Sequence, residues 1–433
     1  MKPISISQFF FFISPFITVN ASPHKRALKS HIYDELSIAV TNEYELVTND
    51  RGGESKRSIG LWHPKPNGEF RPLGAIAINS NRDDPNGKRA TMLVAMSPGE
   101  KKDPPALKEP EDWELIWSDE GGNADKNTAI WMPKAPDGYV AMGHSVTNGN
   151  RAKPSNDIIW CVRKDLAKRG MYNDATIWDN RGVTSEEDTA TWEVIPAPND
   201  DDEDDKSAQF FPLYAGTFLY SKGYNRPTTP SWLLTIKLPS NYVNFTAEAP
   251  KVKAGHIPPV DKVFNKIKQA NVTLPLTSMF APNEARIMEE INDPFYTISK
   301  SVGWLVKNVL INDQSGTLNH TDTVEYGISS EQSKTFEHTA GVSITATTGI
   351  TTGFSSAEFS VSLNYQFTAS SSSSFGEYVH KTTTDSLDIQ DRATIVLFRK
   401  REVIKVTRTD GSLIKREVIM ANEAAVIRQV EEA

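Results

Sequence analysis

The amino-acid sequence predicts an all-β chain: a three-repeat, β-prism-like domain over residues 35–245, then an elongated β domain over residues 291–433 that carries one long hairpin. Three observations predict it. A 16-residue unit ending in tryptophan recurs three times in the first half. After Phe295, long alternating segments follow one another with few turns between them. Within that second half, the stretch from Gly341 to Phe375 contains no lysine or arginine, and nearly half of it is serine or threonine. At 433 residues the chain exceeds what a single core usually organises, so more than one unit is expected.

The chain opens with "MKPISISQFFFFISPFITVNA", in which one lysine precedes an apolar run and small residues that end at Ala21. That is the pattern of a secretory signal peptide over residues 1–21, and the expected location is outside the cell. Residues 22–34 read as a leader, in which Lys25-Arg26 is either a processing site or a solvated basic pair. Sequons at Asn244, Asn271 and Asn319 suit a secreted chain. Cys161 is the single cysteine and sits in "IIWCV", so a buried, unreactive thiol is expected and no intrachain disulfide can form.

The repeat units are "VTNDRGGESKRSIGLW" from Val47, "IWSDEGGNADKNTAIW" from Ile116 and "IWDNRGVTSEEDTATW" from Ile177. Each is followed by a Pro/Gly turn and then an apolar run: "TMLVAM", "DIIWCVRKDL" and "SWLLTIKL". Every unit therefore reads as strand, Gly/Asp turn, strand, Pro/Gly turn, strand and a buried strand. No single unit buries its apolar face alone, so three sheets around a pseudo-threefold axis are the natural packing. "TAIWMPKAPDGYVAMGHSV", "IIWCVRKDL" and "WSDEGG" together resemble the domain of the vacuolar protein sorting-associated protein 62 family, over about Tyr33 to Val243. The resemblance implies a link to vacuolar sorting and supplies no catalytic residues.

The repeat turns hold the candidate ligand-binding residues: Asp50, Gly52 and Gly53; Asp119, Gly121 and Gly122; Asn180 and Gly182. Backbone amides and a carboxylate on such loops can grip vicinal hydroxyls, as in β-prism lectins. Equally, glycine serves a tight turn and Asp or Asn caps it. The tryptophans are expected in the core. "NDDDEDDK", from Asn199, lacks the glycine of a calcium loop and reads as a solvated, self-repelling insertion. Residues 246–290, rich in proline and lysine, read as a linker or neck with a short helix near Val260–Ala270.

In the charge-poor stretch, Val342, Ile344, Ala346 and Ile350 share one side of a first strand, with Phe354 following toward the tip. Phe359, Val361, Leu363, Tyr365 and Phe367 share one side of the return strand. The opposite side carries Ser343, Thr345 and Thr347, then Ser360, Ser362, Asn364 and Gln366. A nine-residue strand spans about 30 Å, enough to cross the apolar slab of a bilayer when tilted. On this reading the first set faces lipid and the second lines a water-filled lumen. A single hairpin cannot leave its edges unpaired in lipid, so several copies of the chain must each contribute one.

"GWLVKNVLIN", "YGISSEQSKTFEHTAGVSITATTGI" and the hairpin between two long strands resemble the aerolysin-type β-pore-forming toxins, over about Phe295 to Ile419. The resemblance implies an aerolysin-like β domain with an insertion hairpin behind a receptor-binding head. Its implied partners are a target-cell membrane, a surface glycan or protein receptor, and further copies of the chain. It also implies proteolytic activation, for which "KREVIKVTR" and "IKREVIM" are candidates beside Lys25-Arg26.

A formal net charge of −8 with scattered basic residues argues against nucleic acid as a partner. No nucleophile elbow, zinc helix, phosphate loop or dinucleotide fingerprint is present, so no enzymatic activity, metal or cofactor is expected. The competing expectation is a non-lytic lectin-like or vacuolar sorting protein whose C-terminal strands form a stalk.

Overall fold

The computed structural model describes residues 28–51, 56–99, 102–119, 127–149, 152–182, 187–196, 210–238, 247–253, 255–345, 349–352, 367, 379–414 and 418–430. The fold is nearly all β. The first repeat supplies β1 (Ser30–Tyr33), β2 (Leu36–Thr41), β3 (Tyr44–Asn49), β4 (Gly60–Pro64), β5 (Ile76–Ile78) and β6 (Thr91–Met96). The second supplies β7 (Leu107–Lys108), β8 (Asp112–Ser118), β9 (Thr128–Lys134), β10 (Tyr139–Val140), β11 (Ser145–Asn148) and β12 (Cys161–Arg163). The third supplies β13 (Ala167–Asp179), β14 (Thr189–Pro196), β15 (Phe210–Leu213), β16 (Phe218–Lys222) and β17 (Ser231–Lys237).

The second and third repeats share one strand order. The third forms a single sheet, β15-β17-β13-β14-β16. In the second that sheet is split into β10-β12-β7 and β8-β9-β11, because the chain breaks between β7 and β8 where β13 runs on unbroken. The first is also split, into β1-β2-β6 and β3-β4-β5, but here β1 flanks β2 on the side away from β6, and the counterpart of β10 and β15 is only the bridge from Arg71 to Val94. Each long hairpin carries a bulge at the equivalent place: the pairing steps over Val47, Ile116 and Ile177. A bulge turns one extra side chain inward. All three of these residues pack against the same interior cluster, with Trp117, Trp178, Ile59, Ile130 and Phe218.

On the axis the repeats meet backbone to backbone. The Ala75 amide donates to the His144 carbonyl at 2.9 Å, and the His144 amide to the Phe218 carbonyl at 3.1 Å. A Cβ on Gly74 would stand 2.8 Å from Gly143 Cα, and one on Gly143 would stand 2.6 Å from Thr217 Cβ. Glycine at these two positions is what allows the sheets to close.

The second half contains β18 (Val263–Pro275), α1 (Ala285–Glu289), β19 (Phe295–Ile311), β20 (Leu318–Tyr326), α2 (Ser330–Ala340), β21 (Val342–Thr345), β22 (Gly349–Thr352), β23 (Lys381–Ile389), β24 (Thr394–Arg408) and β25 (Val418–Gln429). Its main sheet is β18-β19-β24-β25, and β20 pairs only with β23 in a separate ribbon among the described residues. The long strands at 295–311 and 394–408 and the turn over Arg408–Ser412 follow the sequence reading.

Three segments depart from it. Within residues 22–34, read as a leader, residues 30–33 form a strand that pairs with β2, and Tyr33 is buried. The segment expected to be a helical neck is a 13-residue strand, β18, paired along β19. Two register shifts in that pairing break the period-2 pattern and spread the apolar residues at irregular spacing. "SSEQSKTFEHTA", expected as strand, is α2. Ser329 and Gln332 form a reciprocal capping box, and Gly341, at φ +67°, ends the helix.

One interior is shared by both halves. A single cluster of buried side chains runs from Leu36, Ile38 and Phe211 in the repeats to Leu274, Ile298 and Val406 in the second half. Polar contacts cross the same boundary: Tyr33 Oη donates to the Thr273 carbonyl at 3.0 Å, and Lys29 pairs with Asp293 at 2.8 Å.

Candidate functional site

The turn ends of β3/β4, β8/β9 and β13/β14 gather at one end of the repeats. Thr48 and Thr128 hydroxyls lie 2.9 Å apart, joining the first and second hairpins. Arg57 reaches from the first to the third, pairing with Asp179 at 3.0 Å and donating to the Thr176 and Ile177 carbonyls. The Trp178 indole donates back to the Arg57 carbonyl at 2.7 Å.

The three Asp/Asn positions play one structural part. Asp50 Oδ1 accepts from the Ile59 amide at 3.0 Å, Asp119 Oδ1 from the Thr128 amide at 2.7 Å, and Asn180 Oδ1 from the Thr189 amide at 2.9 Å. Each side chain thus ties off its own hairpin nine residues on. Burial raises the Asp50 and Asp119 carboxyls above the usual range, against the hydrogen bonds from Ile59 and Thr128 that lower them. Asn180 is 2% exposed and also donates to the Glu187 carbonyl, which removes it as a ligand contact. Gly182 is exposed, at φ +92°. Gly52, Gly53, Gly121 and Gly122 lie outside the described residues.

The tryptophans are core. Trp62, Trp131 and Trp192 each centre an apolar cluster of their own repeat. Cys161 is fully enclosed, and burial pushes its thiol up to about 12. Among the described residues no group of His, Cys, Asp and Glu converges in a way that would hold a metal ion.

The charge-poor segment leaves the ribbon: β20 leads into α2 and then β21, and the chain returns to the ribbon at β23. In place of one nine-residue strand from Val342 to Ile350, the structure has a short hairpin, with Val342 opposite Thr352 and Ile344 opposite Ile350. Val342, Ile344, Ile350 and Phe367 are all 0% exposed, and share a cluster with Phe336 and Ala340 of α2 and with Met279 and Phe280. Ser333 Oγ donates to the Ile344 carbonyl at 2.8 Å and fastens α2 over the hairpin. A Cβ on Gly341 would stand 2.8 Å from the Phe280 ring, so the chain turns there in close contact with the body. Ser343 and Thr345 are half-buried. Ala346, Thr347, Phe354, Phe359, Ser360, Val361, Ser362, Leu363, Asn364, Tyr365 and Gln366 lie outside the described residues. α2 is the part that the sequence reading missed, and its signal was the Ser-x-x-Gln box followed by glycine.

Residues 27–241 match the family model of vacuolar protein sorting-associated protein 62. The match spans the three repeats. No curated protein matches the chain. Among solved structures, GNIP1Aa from Chromobacterium piscinae aligns at 18% identity with a TM-score of 0.35, covering 44% of this chain and 34% of that one. The alignment thus spans about a third of that protein's length. Cry35Ab1 aligns at 9% identity with a TM-score of 0.37, covering 92% of this chain and 90% of that one.

Proposed function

We propose that the chain is a secreted pore-forming protein of the aerolysin-like kind. Its repeat domain docks on a cell-surface glycan or protein through the hairpin apex. Copies then assemble on the membrane, and each contributes its charge-poor hairpin to a β-barrel. The observation that carries this reading is the segment between β20 and β23: it has no lysine or arginine from Gly341 to Phe375, and its described apolar residues are tucked against the body. Burial is what a soluble resting state demands of a lipid-facing surface. Lysine or arginine on that face would cost about 2–4 kcal/mol each at the bilayer midplane.

Burial also sets the requirement for activation. Withdrawing four enclosed side chains of this size costs roughly 1.5–3 kcal/mol each, which lipid must return. Of the apex residues, Asp50, Asp119 and Gly182 remain as ligand contacts in this proposal. The test is dye release from liposomes and target cells. Val361→Asp and Leu363→Asp are expected to abolish leakage while circular dichroism and solubility stay unchanged. Leakage from both variants at the parental rate overturns the proposal. The family match over residues 27–241 favours a second reading, a non-lytic sorting or lectin-like protein, for which no preparation leaks.

A further inference from the structure

Of the three Asn-x-Thr sequons, those at Asn271 and Asn319 lie among the described residues and that at Asn244 does not. Their surroundings are opposite. Asn271 lies within β18 between Ala270 and Val272, both buried, and its Oδ1 is enclosed without a hydrogen-bond partner. The hydroxyl of its sequon, Thr273 Oγ1, is engaged by Thr297 Oγ1 of the neighbouring strand at 2.8 Å. Asn319, the second residue of β20, is exposed, and so is Thr321, which alternation places on the same side of the strand. Opposite them on β23, Asp388 and Ser386 are exposed too, so the ribbon's outer face is open at this end. Asn319 Nδ2 donates to Asp388 Oδ1 at 2.8 Å. Among the described residues β20 pairs with β23 alone, which leaves its other edge without a strand partner.

We infer that Asn319 carries an N-linked glycan and Asn271 none, and that this glycan shields the open edge of β20 from a second copy of the chain. The inference rests on the secreted part of the reading above, because the donor, a lipid-linked pyrophosphoryl oligosaccharide, is met on the secretory route. In the transfer the Asn319 amide nitrogen bonds to the anomeric carbon of the first sugar while the bond from that carbon to pyrophosphate breaks. The lipid pyrophosphate leaves, and the nitrogen gives up one of its two protons. The N–H that remains is still able to serve Asp388. Transfer precedes folding, so the folded structure decides whether the sugar has a place. At Asn319 it projects from an open face into water. At Asn271 it would be tied to an amide whose oxygen is closed in by the surrounding sheet. A bulky, hydrated group beside an unpaired edge keeps another strand from adding there, the task that charge and proline perform on other edges.

Peptide mapping after glycosidase treatment in heavy-oxygen water tests the site, on the full chain expressed in a eukaryotic secretion host, once behind its own leader and once behind a supplied one. The treatment turns each glycan-bearing asparagine into a labelled aspartate, and the label is expected at Asn319 and absent at Asn271. Asn319→Gln and Thr321→Ala are each expected to lose the mass of one glycan, and the map of the parent carries the test should either variant not fold. Thr321→Ala, which keeps the asparagine and loses only its sugar, is expected to scatter light about twice as strongly as the parent at raised concentration. Asn319 found bare in the secreted chain, or label at Asn271, overturns the site, and equal scattering overturns the shielding. A chain that is exported only behind the supplied leader, with the glycan on Asn319, refutes secretion by its own leader alone. Export behind its own leader with Asn319 bare refutes the glycan alone.

Discussion

Trp62, Trp131 and Trp192 end the three repeat units, yet their indoles are not equally served. Trp131 Nε1 donates to Thr147 Oγ1 and Trp192 Nε1 to Ser221 Oγ, both at 2.8 Å. In the first repeat Ile78 packs beside Trp62, and its Nε1 is enclosed without a partner. Thr147→Val keeps the shape and strands the Trp131 donor, so a loss of about 1–3 kcal/mol is expected in denaturant unfolding. Two histidines add a pH dependence. The Tyr220 amide donates to His144 Nδ1 at 2.9 Å, so that nitrogen must keep its lone pair. His63 Nδ1 is enclosed without a partner, while Nε2 lies 2.9 Å from Ser145 Oγ. Burial lowers His63 to about 4 and His144 to about 3. The unfolded chain therefore binds more protons, and stability present above pH 6.5 is lost as pH falls toward those values. Each ring is expected to cost about 2 kcal/mol by pH 5, and replacing either by Gln should flatten the thermal midpoint between pH 7 and 5.

Among elements, α2 is the one that decides whether the buried hairpin stays covered. Its capping box satisfies the Ser329 and Gln332 amides, at 2.9 Å and 3.2 Å. Ser329→Ala is expected to cost about 1 kcal/mol and to raise protease cleavage within residues 330–345 before the rest of the chain is cut. The same element shows where sequence reading stops. Strands such as β19 and β24 were legible because their alternation is long and uninterrupted. The repeat hairpins were legible because three copies confirm one another. In α2, serine, threonine and glutamate outnumber apolar residues, so neither period stands out and only the cap marks the helix. β18 misled for a different reason, since its bulges shift the apolar residues off alternation. Glycine with Asp or Asn marks the repeat turns in the sequence, but that Asp50, Asp119 and Asn180 turn back onto their own hairpins is a matter of side-chain direction, which spacing does not encode.

For the whole molecule, the shared interior is the governing fact. Leu36, Ile38, Phe211 and Leu234 of the repeats belong to the same buried cluster as Leu274, Ile298 and Ile404 of the second half. A chain truncated near residue 245 would lay part of that interior open to solvent. It is expected to aggregate, or to melt well below the full chain, as read by size-exclusion chromatography and calorimetry. A well-behaved monomer with the parental midpoint would show that the two halves are separate after all. The continuity also fixes a distance. β19 alone extends 17 residues, about 55 Å, away from the boundary between the halves. On the proposed reading, a molecule held by its apex would stand off from the surface by a set height, as a pair of callipers would. Neighbours anchored on one plane would then carry their hidden hairpins at a common level before any of them moves.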